Sequence, residues 1–303
     1  MRLTVRPIPP YDFDLSLSIY SEGDGQIRRF EKERYWQVVR LGDKLAFLSI
    51  ESSGTIDNPK LIIELESVDE ISDSDVKTAK EIVDSCLNLG LDLKPFYEHV
   101  KTDETMHRLT QELRGLKSPN TASIFEALIS SIIEQQISLR VAHALETNVV
   151  KSFGDVLHIG RQVYYAFPTP RRLSAASAEQ LLSCGLSRRK TEYIREISAS
   201  VASKELDLEK FKSYQDTSEI VDELDKVRGI GVWTAELTLL RGMNRLDAIP
   251  ADDLGLRRCI SHYYSHDAEI TSEKARQIAE RWGRWKGLAG YYLIVARRLR
   301  LEV

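Results

Sequence analysis

Over the first seventy residues, short apolar runs sit between turn residues. Over the rest, apolar positions recur every three or four. Tyr35 to Ile50 (YWQVVRLGDKLAFLSI) holds two apolar runs around Leu-Gly-Asp-Lys, which predicts a β-hairpin. Lys60 to Leu65 (KLIIEL) predicts another strand after the breaker Asp57-Asn58-Pro59. From about Ser74 the period changes. Val76, Ala79, Ile82, Val83 and Cys86 fall on one helical face, which ends at Leu89-Gly90.

Beyond residue 100 the pattern reads as helix upon helix. Ser123 to Val150 is a long amphipathic stretch with Ile124, Phe125, Leu128, Ile129, Ile132 and Ile133 on one side, interrupted at Glu134-Gln-Gln-Ile-Ser138. Thr169-Pro-Arg-Arg-Leu173 and Ser177-Ala-Glu-Gln-Leu181 have the capping residue and first turn of helix starts. Ser187 caps a helix running to about Ala202, and later helices are predicted near 219–226, 233–241, 253–264, 272–283 and 288–300. The fold class is therefore α+β. A small antiparallel sheet domain with a helix (1–100) precedes an all-α body (101–303) of two lobes, with the chain crossing from one lobe to the other and back.

Composition narrows the function only slightly. The 303 residues are 42% hydrophobic and 29% charged, which fits a folded globular chain and excludes a disordered one. No window is long and apolar enough to predict a membrane span. The start, MRLTVRPIPPYDFDLS, lacks an apolar signal region, so an intracellular protein is expected, cytoplasmic in a prokaryote or nuclear in a eukaryote. Cys86, Cys184 and Cys259 form no CxxC or Cys/His cluster, which argues against a disulfide framework, a zinc site or an iron–sulfur cluster. The net charge of −4 hides an asymmetry. Residues 1–100 hold 12 basic and 19 acidic side chains, and residues 101–303 hold 30 and 27. The basic surplus thus lies in the helical body.

The chemistry concentrates in Leu224 to Arg258. A helix breaks at Arg228-Gly-Ile-Gly231 and restarts as an apolar helix. Two glycines one residue apart let the backbone turn tightly, and N–H groups opening a helix attract an anion, a phosphate above all. On the glycines alone, a plain helix–helix turn is the commoner reading.

The wider set of motifs resembles the helix-hairpin-helix (HhH-GPD) DNA glycosylases, in particular the 3-methyladenine DNA glycosylase II (AlkA-type) branch. Leu224-Asp-Lys-Val-Arg-Gly-Ile-Gly-Val-Trp-Thr-Ala235 is similar to the family hairpin. Pro250-Ala-Asp-Asp-Leu254 resembles the loop carrying the family's catalytic aspartate. Glu134-Gln-Gln-Ile-Ser138 resembles its minor-groove loop. Pro10-Tyr-Asp-Phe-Asp-Leu15, Ala166-Phe-Pro-Thr-Pro-Arg-Arg-Leu173 and Ala279-Glu-Arg-Trp-Gly-Arg-Trp285 match further stretches in the same order.

The resemblance implies a monofunctional enzyme that flips an alkylated purine, such as 3-methyladenine or 7-methylguanine, out of double-stranded DNA and hydrolyses its glycosidic bond in base excision repair. It implies Asp253 as the catalytic carboxylate, stabilising the positive charge that builds on the sugar. The adjacent Asp252 reads as the better N-cap. It implies Trp233, Leu237 and Trp285 at the base pocket, where indole faces suit a cationic base. Gln136, with Gln135 as the second candidate, would be the wedge filling the hole left by the flipped base. The N–H groups of Gly229, Gly231 and Thr234 would hold phosphate. The main-chain carbonyls of Asp225, Val227 and Ile230 would hold a structural monovalent cation (Na+ or K+), and no other cofactor is required. Two departures stand out: relatives often carry an apolar wedge where Gln136 stands, and a pocket tyrosine where Leu237 stands.

Trp233 occupies the position where strand-nicking relatives carry a Schiff-base lysine, so no lyase step is expected. Lys226 and Lys286 do not match that position. Arg241, Arg257, Arg258 and Lys190 are basic residues with no assigned role. The six histidines lack metal-ligand spacing. The alternatives are an 8-oxoguanine-type glycosylase, against which Trp233 counts, and a non-catalytic helix-hairpin-helix DNA binder, which needs neither Asp253 nor Trp285. A monomer acting on damaged duplex DNA, away from membranes, is the expected assembly.

Overall fold

The apolar runs near the N-terminus become a five-stranded antiparallel sheet in the computed structural model, which describes residues 1–302. Its strands are β1 (Arg2–Val5), β2 (Arg28–Glu31), β3 (Arg34–Leu41), β4 (Lys44–Ser52) and β5 (Leu61–Glu66), in the order β1-β5-β4-β3-β2. The predicted hairpin is β3–β4, with Leu41 paired to Lys44 across Gly42-Asp43. Gly42 has φ +65°, the left-handed backbone that a two-residue turn favours and glycine adopts freely. Alternation puts Tyr35, Val39, Leu48, Ile50, Ile63 and Leu65 on one buried face. There they pack on Ala79, Val83 and Cys86 of the helix Asp73–Leu87. Ser72 and Asp75 close a capping box at that helix's start.

The helical body has two cores. One is built from the helices Ile124–Glu134, Leu139–Phe153, Arg188–Ala202, Thr217–Asp225 and Val232–Met243. The other joins Leu93, Phe96, Val100, Met106 and Leu109 to residues 246–296, including the helices Leu254–Tyr264 and Lys286–Leu299. The chain therefore leaves the sheet core before Leu93 rather than at residue 100, enters one helical lobe, crosses to the other and returns.

The body is not purely helical. Two short strands, β6 (Val156–Ile159) and β7 (Gln162–Tyr165), form a hairpin that packs on the first domain, with Tyr164 4.4 Å from Phe47 between ring centroids. Leu157 and Ala166 share a small core with Val38 and Phe47. Val156-Leu-His-Ile159 follows a helix directly and is too short to show its own period, so pattern reading absorbed it into helix. Among the described residues, no helix is long and apolar enough to cross a membrane.

Candidate functional site

A cleft of about 1320 Å³ opens where the three cores meet. Its walls come from all of them: Tyr20 and Arg28 from the sheet domain, Gln135 to Leu139 from a loop, Gly229 to Arg241 from the hairpin, and Asp252 to Leu256, Tyr291 and Ile294 from the C-terminal lobe.

The hairpin is shaped by its glycines. Gly229 has φ +94°, and a Cβ there would lie 2.4 Å from the ring of Tyr193. Any other residue would both strain the backbone and displace that ring. Gly231 is the N-cap of Val232–Met243 and brings no capping side chain, so the first N–H groups of that helix keep no intrahelical acceptor. A Cβ on Gly231 would meet only Asp225 Oδ1, at 4.0 Å, so the approach to these donors is open. Gly229, Gly231 and Thr234 thus share one turn at the cleft edge. Asp225 ends the preceding helix, whose last carbonyls are free of helical partners. The Val227 carbonyl accepts from Ile230 N–H at 3.0 Å, which leaves it a second lone pair.

Beyond the second glycine, three residues meet the cleft interior in different ways. Trp233, half-buried, and Leu237, 7% exposed, both line the cleft. Two turns on, Arg241 bonds Glu134 at 2.6 Å. The indole N–H of Trp233 and the hydroxyl of Tyr291 are sequestered without a hydrogen-bond partner among the described residues.

Asp253 faces the cleft from the opposite side. It is the N-cap of Leu254–Tyr264, and its Oδ1 accepts from Leu256 N–H at 2.7 Å. This corrects the expectation that Asp252 caps the helix. Asp252 is exposed and lies 3.4 Å from Arg276, which also holds Glu236 at 2.5 Å. Capping fixes the Asp253 carboxylate by one oxygen and leaves Oδ2 for the cleft. Other cleft carboxylates have basic partners: Glu134 has Arg241, Asp24 has Lys151, Asp252 has Arg276, and Glu146 lies 4.0 Å from Arg28. Asp253 has no basic partner among the described residues, and neither has Glu22 on the exposed rim. Burial pushes the Glu146 carboxyl up, against the pull of Arg28.

Gln136 is exposed and has φ +57°, an uncommon conformation for a non-glycine residue. It sits at the apex of the turn between two helices, beside the cleft. Gln135 is turned the other way. Its amide donates to the Gly229 carbonyl at 2.9 Å and to Thr234 Oγ1 at 3.0 Å. The Gln135 side chain is thus tied twice to the hairpin.

Trp285 lies apart from these residues. It is 8% exposed and belongs to the C-terminal core, packed 5.9 Å from Phe96 with the Arg284 guanidinium 4.7 Å from its ring. It does not line the cleft. From the same segment the cleft takes Tyr291 and Ile294 instead. Sequence reading missed those two, and also Tyr20 and Arg28, whose guanidinium stacks 4.7 Å over the Tyr20 ring and bonds Glu126 at 2.9 Å. No local pattern marks them, because they reach the cleft only through domain packing. Lys190 was legible in principle. It lies on one stripe with Ile194 and Ile197, a lysine on an apolar face.

Known proteins similar to this chain share its family and its fold. The family described as HhH-GPD superfamily base excision DNA repair protein matches residues 129–284. The DNA-3-methyladenine glycosylase of Bacillus subtilis (strain 168) is 32% identical over 208 residues, 68% of each chain. The DNA-3-methyladenine glycosylase 2 of Escherichia coli (strain K12) is 28% identical over 182 residues, 60% of this chain and 61% of that one. The solved 3-methyladenine DNA-glycosylase of Archaeoglobus fulgidus superposes with a TM-score of 0.86 at 27% identity, covering 99% of this chain and 100% of that one.

Proposed function

The chain belongs to the HhH-GPD superfamily of base excision DNA repair proteins, on its 3-methyladenine glycosylase (AlkA-type) branch, and from that premise we propose that it is a monofunctional glycosylase for alkylated purines. That it is a DNA glycosylase follows from the family. The substrate, the flipping step and the use of water are our reading.

The observation that carries it is Asp253, fixed by the Leu256 N–H, open to the cleft and without a cationic partner. As the bond from the sugar to the base nitrogen breaks, its electron pair leaves with the base and positive charge builds on the sugar. An unpaired carboxylate held beside the sugar in the cleft is the group that stabilises such charge. Water then attacks the anomeric carbon and gives its proton to Asp253 or to solvent. A base alkylated at N3 or N7 is already cationic and departs neutral, so no general acid is needed. Asp253 and Glu22, the cleft carboxylates without a basic partner among the described residues, also suit a cationic guest. Trp233 offers that guest an indole face.

No lysine is among the residues lining the cleft, which supports hydrolysis rather than Schiff-base chemistry. The orphan N–H groups of the hairpin would hold a phosphate beside the lesion, with Gln136 filling the vacated space in the stack. The carbonyls of Asp225, Val227 and Ile230 would take a monovalent cation that stiffens the turn; the free helix end at Asp225 fits that role.

The test is base release from DNA treated with a methylating agent, with strand breaks scored before and after alkali. Freed methylpurines with breaks only after alkali are expected. Breaks without alkali would overturn the monofunctional reading. Release of oxidised guanine alone would overturn the substrate.

A further inference from the structure

Lys190 is 9% exposed, forms no ion pair among the described residues, and donates from Nζ to the carbonyls of Ile133 and Gln135, both at 2.7 Å. Taking an ammonium out of water without a counter-charge is costly, and burial lowers its proton affinity. An apolar residue would serve the fold of the helix Arg188–Ala202 better, since Ile194 and Ile197 continue the same stripe. The cost therefore needs a return, and the two carbonyls identify where to look. They belong to the turn whose apex is Gln136.

The turn is held from three directions. Lys190 ties the carbonyls on either side of Glu134 to the start of its helix. Glu134 itself is gripped by Arg241. The Gln135 amide joins the turn to Gly229 O and Thr234 Oγ1 of the hairpin. Tyr193, one turn after Lys190, fills the space beside Gly229. The left-handed φ of Gln136 is unfavourable on its own and persists only where neighbours over-determine it.

We propose that Lys190 is a positioning residue for the DNA wedge: its ammonium, with the Gln135 amide, locks the Glu134–Ile137 turn to the phosphate-gripping hairpin so that Gln136 enters the stack as the hairpin takes the backbone. Phosphate capture and base extrusion are then one rigid-body event. The inference rests on the wedge reading of Gln136 and deepens it.

The experiment measures single-turnover base release, binding to undamaged duplex and melting temperature for Lys190→Met, Gln135→Leu, Gln136→Ala and Lys190→Met/Gln136→Ala. Two substrates are used, a duplex with the lesion normally paired and one with the lesion facing an abasic gap, where extrusion costs little. Lys190→Met is expected to slow release from the paired duplex about tenfold, to bind undamaged duplex as wild type does, and to recover within about twofold on the gapped substrate. Gln136→Ala should match it, and the double variant should be no slower than the slower single one. Additive losses, or an equal loss on both substrates, would overturn the proposal. If Gln136→Ala alone has no effect while Lys190→Met does, the wedge reading fails instead. Should Lys190→Met not fold, Lys190→Gln carries the same comparison at the same position, while Gln135→Leu tests the hairpin link with both lysine bonds in place.

Discussion

Two lysines in this protein are buried on pairs of main-chain carbonyls, and the regions around them make opposite demands. Lys117 is fully buried where the N-terminal segment meets the body; its Nζ donates to Ile8 O at 2.9 Å and Leu89 O at 3.1 Å and lies 5.3 Å from the centre of the Tyr11 ring. The carboxylates of Asp84 and Asp92 partly offset its desolvation. Lys190 backs the turn at the cleft mouth, outside the cleft lining itself, with no such relief. The seam offsets part of the cost of its charge and gains cohesion between segments far apart in sequence. The mouth leaves its charge uncompensated and gains a turn of fixed shape beside the DNA-facing hairpin. The same chemistry thus serves stability in one region and geometry in the other, and substitutions in the two regions should fail in different ways.

The largest separation is expected from the tryptophans. Trp285→Ala removes a ring from the C-terminal core and should cost about 3–5 kcal/mol of stability, read as a loss of denaturation midpoint, while the surviving folded fraction releases base normally. Trp233→Ala, at the half-buried cleft wall, should cost less stability and slow base release in fully folded protein. Normal release by Trp233→Ala together with impaired release by folded Trp285→Ala would reverse the assignment of the two rings.

That pair also shows what the sequence alone made legible. Helix starts were readable because Thr169, Ser177 and Ser187 cap through their own side chains, a local signal. The hairpin was readable because its glycines have a local backbone reason. Trp285 was not, since an aromatic at a helix start looks the same whether it meets a core or a cleft. Asp252 and Asp253 differ by one position, below what boundary reading resolves, and only the bond to Leu256 N–H decides between them. Tyr20 and Arg28 come from 200 residues away in the chain, and nothing local points them at Asp253.

Next in size is Asp253→Asn. Asparagine keeps the cap on Leu254–Tyr264 and removes the charge. Base release should fall about 100- to 1000-fold with the melting temperature and DNA affinity nearly unchanged. A large drop in melting temperature would mean that the carboxylate serves the fold, and the mouth would then resemble the seam.

The smallest effect tests the seam itself through pH. Burial lowers Lys117 from 10.5 to about 8 in the folded chain. Between those values the unfolded chain holds a proton that the folded chain has shed, so this group makes stability rise with pH across that window. The full shift corresponds to about 3 kcal/mol, present as a penalty below pH 8 and relieved toward pH 10.5. Two thiols oppose it. Burial holds Cys86 up at about 12 and Cys259 at about 11 against an ordinary 9.0, so above pH 9 the unfolded chain loses protons that the folded chain keeps, and stability falls. Raw stability against pH would blur the two trends, but both thiols are unchanged in Lys117→Met. The difference between wild type and that variant, taken from urea midpoints at pH 7 to 10, should therefore move steadily in favour of wild type as pH rises. A flat difference would mean that the Ile8 and Leu89 carbonyls hold the Lys117 charge without strain. The contrast would then rest on Lys190 alone.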